Sequence, residues 1–336
     1  MIGISVVVVC YNSEKIIEKT LEQLFSQEVI SDIHWEIILV NNNSTDHTVE
    51  KAQNVFQNYA HPAFRIVNEK KPGTAFARFK GFSEAKYDII CFIDDDNRVP
   101  NYWIEKASGI MQNQQIGILG CGAEVDFETS PPEWFYRNQE AYAVGSLYPN
   151  DKLVEMTFDA NLPTAGMCIR KEVFQNLTAQ NWQTQLSGRI GKSQAPGEDS
   201  ELCQAARLIG YKTFYTNEIS FKHYMPKDRI EWKRFLEMTY GFGVTDVFLL
   251  PYYLIYDLRQ NKNIFQYNLR KIWWINYLAK KVKNIIITTK FKLSLINKEN
   301  FQIAVTRNQA FCDTILAEKV KFNKAFDEIN KLKDVC

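Results

Sequence analysis

Apolar and polar positions change their spacing along the chain and sort it into an alternating first part and a helical last part. Ile4–Cys10 is a continuous, mostly β-branched run, the pattern of a strand covered on both faces. From Ser13 to Gln27, Ile16, Ile17, Thr20, Leu21, Leu24 and Phe25 recur at helical spacing, with Asn12 or Ser13 available to cap the first turn. Trp35–Val40 predicts a second buried strand, and a helix capped by Ser44 or Asp46 runs to about Asn58. Phe64–Asn68 predicts a third strand, Gly73–Glu84 a helix and Asp88–Ile93 a fourth strand. This rhythm predicts an α/β fold with a doubly wound, mostly parallel sheet.

The stretch 120–225 is less regular, rich in aromatics and prolines, with a strand expected over Thr164–Arg170 and a helix over Glu198–Leu208. After Pro226 the pattern is helical to the end. The expected organisation is an α/β body over 1–225, divided near residue 100, and a helical region over 226–336.

In sheets of this kind ligands bind at the carboxyl ends of the strands. The clusters "CYN", "NNNSTD", "NEKKPG" and "DDDN" follow the four strands in turn, so they are expected on one rim. The last contains Asp94, Asp95 and Asp96. Three adjacent carboxylates repel one another and call for a metal ion, a basic side chain or water alone. Their place on a ligand rim favours function over a solvated turn. Mg²⁺ or Mn²⁺ accepts one or two carboxylates together with substrate phosphates, and a diphosphate so bridged is a competent leaving group.

Other motifs change the picture less. "GRIGKS" has Leu186 where a phosphate-binding loop requires glycine, and no apolar strand leads into it. Glu198 and Asp199 open a helix, where the dipole favours acids, although a carboxylate there could also take a proton from a hydroxyl. His223 follows an expected strand and is a candidate metal or phosphate contact, whereas His34, His47 and His61 fall in loop or helix-surface contexts. Nucleophile elbows and H-E-x-x-H are absent.

With 46% hydrophobic and 24% charged residues the chain has the composition of a soluble globular protein. Its formal charge of +1 hides a basic segment: 258–298 holds ten Lys or Arg and no acid. Within it Ile272, Ile275, Leu278, Ala279, Val282, Ile285 and Ile286 form a helical stripe bordered by Trp273, Trp274 and Tyr277. The stripe suits either packing on the catalytic domain or an anionic membrane surface; nucleic acid is not expected, since no recognised module accompanies the charge. Seven widely spaced cysteines without C-x-x-C point to free thiols in a reducing compartment, hence a cytoplasmic protein, peripheral on the inner face of the plasma membrane if the stripe docks there. The apolar opening lacks a basic n-region and reads as a strand, and no apolar run reaches 18 residues.

Together "SVVVVCYNSE", "EIILVNNNSTDHT", "GTAFARFKGFSEAKYDIICFIDDDN", "TAGMCIRKEVF" and "GEDSELCQAARLIGY" resemble, in order and spacing across roughly 3–225, the inverting glycosyltransferase family 2 enzymes of GT-A fold. The resemblance implies a nucleotide-sugar donor and a D-x-D-type signature at Asp94–Asp96, with Asp96 ligating Mn²⁺ or Mg²⁺, Asp94 and His223 beside it, and Asp95 near the ribose or the metal's waters. It implies Tyr11, Asn12, Asn41 and Asn43 around the nucleotide, Arg78 near base or diphosphate, and the backbone of Ala165 and Gly166 near the donor sugar. It makes Asp199 the catalytic base and Glu198 an acceptor contact. Asn41 stands where relatives commonly carry Asp; its carbonyl could still accept from a base N3–H, so UDP is the expected donor nucleotide. The implied reaction is single-displacement transfer to a hydroxyl of a glycan or lipid-linked saccharide, as in polysaccharide biosynthesis. A sugar nucleotidyltransferase would carry a glycine-rich first loop, which "CYNSEK" is not; a non-catalytic nucleotide-sugar-binding protein would not need Asp96 and Asp199.

Overall fold

A computed structural model describes residues 3–60, 62–148, 152–188 and 196–335. The elements are β1 (Ile4–Cys10), α1 (Ile17–Phe25), β2 (Trp35–Asn41), α2 (Thr48–Phe56), β3 (Ala63–Asn68), α3 (Thr74–Glu84), β4 (Ile89–Asp94), β5 (Asn97–Arg98), α4 (Trp103–Met111), β6 (Ile116–Phe127), α5 (Glu133–Tyr136), β7 (Leu153–Glu155), β8 (Cys168–Arg170), α6 (Lys171–Ala179), α7 (Glu198–Leu208), β9 (Lys212–Met225), α8 (Trp232–Arg259), α9 (Ile264–Arg270), α10 (Trp273–Lys292), α11 (Lys298–Ala317) and α12 (Lys319–Asn330). They form two compact units, Met1–Asn176 with Tyr211–Ile230, and Leu177–Gly210 with Glu231–Cys336. Residues 177–210, expected with the α/β body, therefore group with the C-terminal helices.

The first unit is built on one sheet in the order β3-β2-β1-β4-β8-β6-β9-β5, with β7 beside β9. β3, β2, β1 and β4 run parallel, and β8 joins β4 antiparallel. Every residue of β1 and β2 is buried, as their unbroken apolar runs require. α3 lies so close to β1 that a Cβ on Gly81 would collide with Val7.

Two expectations shift. Helix α1 begins at Ile17, and neither Asn12 nor Ser13 caps it through a side chain; the Ser13 carbonyl instead accepts from Ile16 and Ile17 N–H. The strand expected from Thr164 begins only at Cys168, because Gly166 takes φ +71° in a turn. There a Cβ would meet Cys121 Sγ at 2.6 Å and the Phe221 ring at 2.8 Å, so only glycine fits.

In the second unit α8 packs on α7, α11 and α12, and α10 packs on α11. The stripe expected across 264–286 is broken between α9 and α10. Its members Leu278, Val282, Ile285 and Ile286 remain exposed. The segment around "GRIGKS" after Gly188 lies outside the described residues, as does His61.

Candidate active site

β4 delivers the acidic trio to the rim. Asp94, its last residue, pairs with Val9 of β1, and Asp94 Oδ1 accepts from Arg78 Nη2 on α3 at 3.2 Å. Asp95 faces α1: its carboxylate accepts from Ser13 Oγ and its carbonyl from Thr20 Oγ1 at 2.7 Å. Burial, followed by the Asp96 charge, pushes the Asp95 carboxyl up to about 7. The Ser13 side chain, expected as a helix cap, thus braces the trio.

Asp96 has a different shell. Its Oδ2 meets His223 Nε2 at 3.2 Å and Arg229 Nη1, and its Oδ1 accepts from Asn97 Nδ2 at 3.1 Å. Burial works to raise this carboxyl, but the neighbouring His223 and Arg229 outweigh it and hold it well below the usual carboxylate range. Within this unit Asp94 and Asp96 therefore meet basic side chains of their own chain, the second of the three options that their charge left open, while Asp95 meets the Ser13 hydroxyl.

His223 lies inside β9, opposite Asn97 of β5, with Nδ1 3.0 Å from the Tyr142 carbonyl. A carbonyl only accepts, so Nδ1 carries a hydrogen, and with that hydrogen alone on the ring Nε2 would turn a lone pair toward Asp96. Two lone pairs at 3.2 Å call for positive charge, from a second ring proton, from Arg229 or from a bound cation. A backbone carbonyl on the remote ring nitrogen is also how metal-ligating histidines are commonly held. The donor chemistry of Asp96 and His223 accordingly fits a divalent cation. Arg78 holds Asp94, and among the described residues no three metal-ligating side chains converge.

Around the expected nucleotide rim, Tyr11 is 50% exposed. Asn12 and Asn43 adopt left-handed φ of 51° and 67°. The Asn12 amide oxygen accepts from Thr45 N–H at 2.8 Å. Asn41 is buried, its Nδ2 donating to Asn68 Oδ1 at 2.9 Å and its Oδ1 accepting from Ser44 N–H at 2.9 Å. Base reading through Asn41 would thus rely on the second lone pair of that oxygen. Its neighbour Asn42 ties the β3–α3 loop through the carbonyls of Glu69 and Lys71 and the N–H of Gly73. Ala165 and Gly166 lie beneath β4, with Gly166 N–H donating to Phe92 O at 2.9 Å.

In the second unit, Glu198 and Asp199 are half-buried at the first turn of α7. Glu198 Oε2 accepts from Gly197 N–H at 3.1 Å, and Asp199 Oδ1 from Ser200 N–H at 2.7 Å. Glu201, unremarked in the sequence, is fully buried and accepts from Thr184 Oγ1 at 2.6 Å, Leu186 N–H at 3.1 Å and Tyr252 OH at 3.1 Å. Burial pushes its carboxyl up against these donors. It anchors α7 to α8 and to the preceding loop, and so fixes where Asp199 sits in that unit. Arg229 was equally invisible, since one arginine after a strand carries no local signal of a carboxylate 133 residues earlier.

Along the sequence the chain is 32% identical over 119 residues to the uncharacterized glycosyltransferase EpsJ of Bacillus subtilis, covering 35% of this chain and 33% of that protein. It is 28% identical over 182 residues to the dolichol-phosphate mannosyltransferase of Pyrococcus furiosus, covering 52% and 48%. The matches thus span a third to about half of these relatives' lengths. In three dimensions it shares the GT-A fold of the mannosyltransferase PcManGT from Pyrobaculum calidifontis, solved with GDP-Man and Mn²⁺, at TM-score 0.56 and 16% identity over 94% of this chain and 87% of that one. The S. aureus TarS fragment 1–349 with UDP-GlcNAc gives TM-score 0.51 at 16% identity, over 98% and 90%. The profile of Glycosyl transferase family 2 matches residues 5–178, which contain the whole acidic rim and its Arg78 partner; this chain belongs to that family.

Proposed function

We propose that the chain is an inverting hexosyltransferase that moves a sugar from a nucleoside-diphosphate sugar, with UDP the first choice, to a hydroxyl of a glycan or lipid-linked saccharide. The observation that carries this reading is the Asp94–Asp96 trio at the end of β4, gripped by Arg78, His223 and Arg229. Three cationic or cation-ready groups around a strand-end turn suit an incoming diphosphate.

In this mechanism Arg78 and Arg229 orient the diphosphate and oppose its charge. Asp199 takes the proton from the acceptor hydroxyl, whose oxygen forms a bond to the anomeric carbon. The bond from that carbon to the diphosphate oxygen breaks, and the nucleoside diphosphate leaves with the electron pair. Asp96 and His223 would hold Mn²⁺ or Mg²⁺, which when bound neutralises charge on the departing diphosphate. Glu198 contacts the acceptor, and the backbone at Ala165 and Gly166 faces the donor sugar. Tyr11, Asn12, Asn41 and Asn43 line the nucleotide end, and Asp95 keeps the trio in register through Ser13. The six buried free cysteines described suit a cytoplasmic setting.

The choice of UDP is supported by the uracil-compatible amide of Asn41 and by the UDP-GlcNAc of the TarS neighbour; the GDP-Man of the other neighbour marks the competing donor. Thermal melting with UDP-, dTDP- and GDP-sugars, with and without Mn²⁺, tests the reading, because a ligand of the folded state raises Tm by mass action. A shift with one nucleotide sugar that D96A removes is the expected result. No shift with any of them overturns it.

A further inference from the structure

Helix α10 presents two chemically different faces. One is packed within its own unit: Asn276 and Ile287 are buried, and Asn308 of α11 donates to Asn284 Oδ1 at 2.9 Å. Lys280 lies over the Phe311 ring at 4.7 Å. The other face is open among the described residues. At about 100° per residue, Trp274, Leu278, Val282, Ile285, Ile286 and Leu293 fall within about 120° of arc. Each of these six is 47–66% exposed. Lys281 and Lys292 border one edge of that arc, and Lys283 and Lys290 the other. Ten of the twenty large hydrophobic side chains exposed among the described residues lie between Ile264 and Leu295, a concentration that marks an interaction surface.

The charge selects the occupant. Residues 258–298 bring ten basic groups and no acid, so a second copy laid on this face would add like charge to like charge. A nucleic acid would leave the apolar centre unsatisfied. An anionic bilayer surface meets both requirements, since the apolar arc can enter the acyl boundary with Trp274 at headgroup depth while lysines on either side reach phosphates. Among the described residues no helix is long and apolar enough to cross a membrane; with five lysines in 20 residues, α10 suits the interfacial plane instead.

We infer that the outer face of α10 docks the protein on anionic lipid, with the helix axis parallel to the bilayer. This inference stands apart from the donor chemistry above, and it favours the lipid-linked class of acceptor over a soluble glycan.

Flotation of the full chain with phosphatidylcholine vesicles, and with vesicles containing phosphatidylglycerol, provides the test. Wild type floats with the anionic vesicles only, and less at raised salt. I285D/I286D abolishes flotation, while K283Q or K290Q lowers partitioning about fivefold each, as expected for one surface-proximal charge. These side chains are exposed, and circular dichroism checks that the variants fold. Nucleotide-sugar melting shifts are unchanged in I285D/I286D, so a failure of the docking inference is separable from a failure of the proposed reaction. Absence of anionic-lipid binding overturns the inference. So does a concentration-dependent dimer, abolished by I285D/I286D, in place of flotation.

Discussion

Arg229, in the turn after β9, sets Nη1 against Oδ2 of Asp96, a carboxylate 133 residues earlier in the chain. The last acid of the trio is therefore neutralised by its own protein before any ligand arrives. Because that oxygen also faces His223, Arg229 and a divalent cation would compete for it.

The competition gives opposite signs for two measurements on R229A. Without nucleotide, Mn²⁺ binding by calorimetry should tighten, since a rival for Asp96 has gone. Without metal, affinity for the nucleoside diphosphate should fall about tenfold or more, the loss expected for a hydrogen bond to a charged group. R229K should restore part of the nucleotide affinity, because a charge remains without the guanidinium fork. Parallel changes in both affinities would show that Arg229 acts only as a structural brace.

Asp199→Asn separates binding from chemistry. The amide keeps the size and the acceptor oxygen that faces Ser200 N–H at 2.7 Å but cannot take a proton. Transfer should fall by roughly 10²–10⁴-fold, with donor-induced melting shifts unchanged. Near-normal transfer would remove Asp199 from the role of base.

Glu36 contributes to the pH dependence of stability in the first unit. It lies buried on β2 and accepts from Ser5 Oγ at 2.7 Å, Lys86 N–H at 2.8 Å and Arg65. Burial acts to raise its carboxyl, but these partners together lower it from 4.5. A depressed carboxyl contributes stability that is fully present above its unfolded value and lost as pH falls through its folded value. E36Q should therefore cost about 1.5–3 kcal/mol at pH 7. In urea titrations the gap from wild type should close as the pH drops below 4.5.

Gly166→Ala tests the turn beneath β4. With φ at +71° and Cys121 Sγ 2.6 Å from the added methyl, a loss of about 1–3 kcal/mol is expected. Its reach toward Phe92 places the disturbance two residues before Asp94, so donor-induced melting shifts should weaken as well. A Tm equal to wild type would mean that the turn relaxes without cost.

The buried runs at Ile4–Cys10 and Trp35–Val40 were readable because a parallel strand covered on both faces leaves no polar position in its sequence. Chain order then placed the Asp94–Asp96 trio on the carboxyl rim before any coordinates. Of the long strands β6 and β9 only a strand ending before His223 was readable: β9 runs on through His223, mixing buried Phe221 and His223 with exposed Lys222, and its partner β6 is found far along the chain. Periodicity showed that α10 has an apolar stripe but not what covers it, because a helix carries no record of its neighbours. The structure packed the opposite face on α11 and left the stripe open.

The sequence by itself determined the four parallel strands β1 to β4, their rim and the acids upon it, since burial and chain direction are local properties of a strand. Only the tertiary structure decided which charges meet those acids. Ser13 reaching Asp95, Arg78 reaching Asp94 and Arg229 with His223 reaching Asp96 are long-range encounters. They follow from how far each side chain extends once the backbone is packed, and spacing along the chain does not encode that distance.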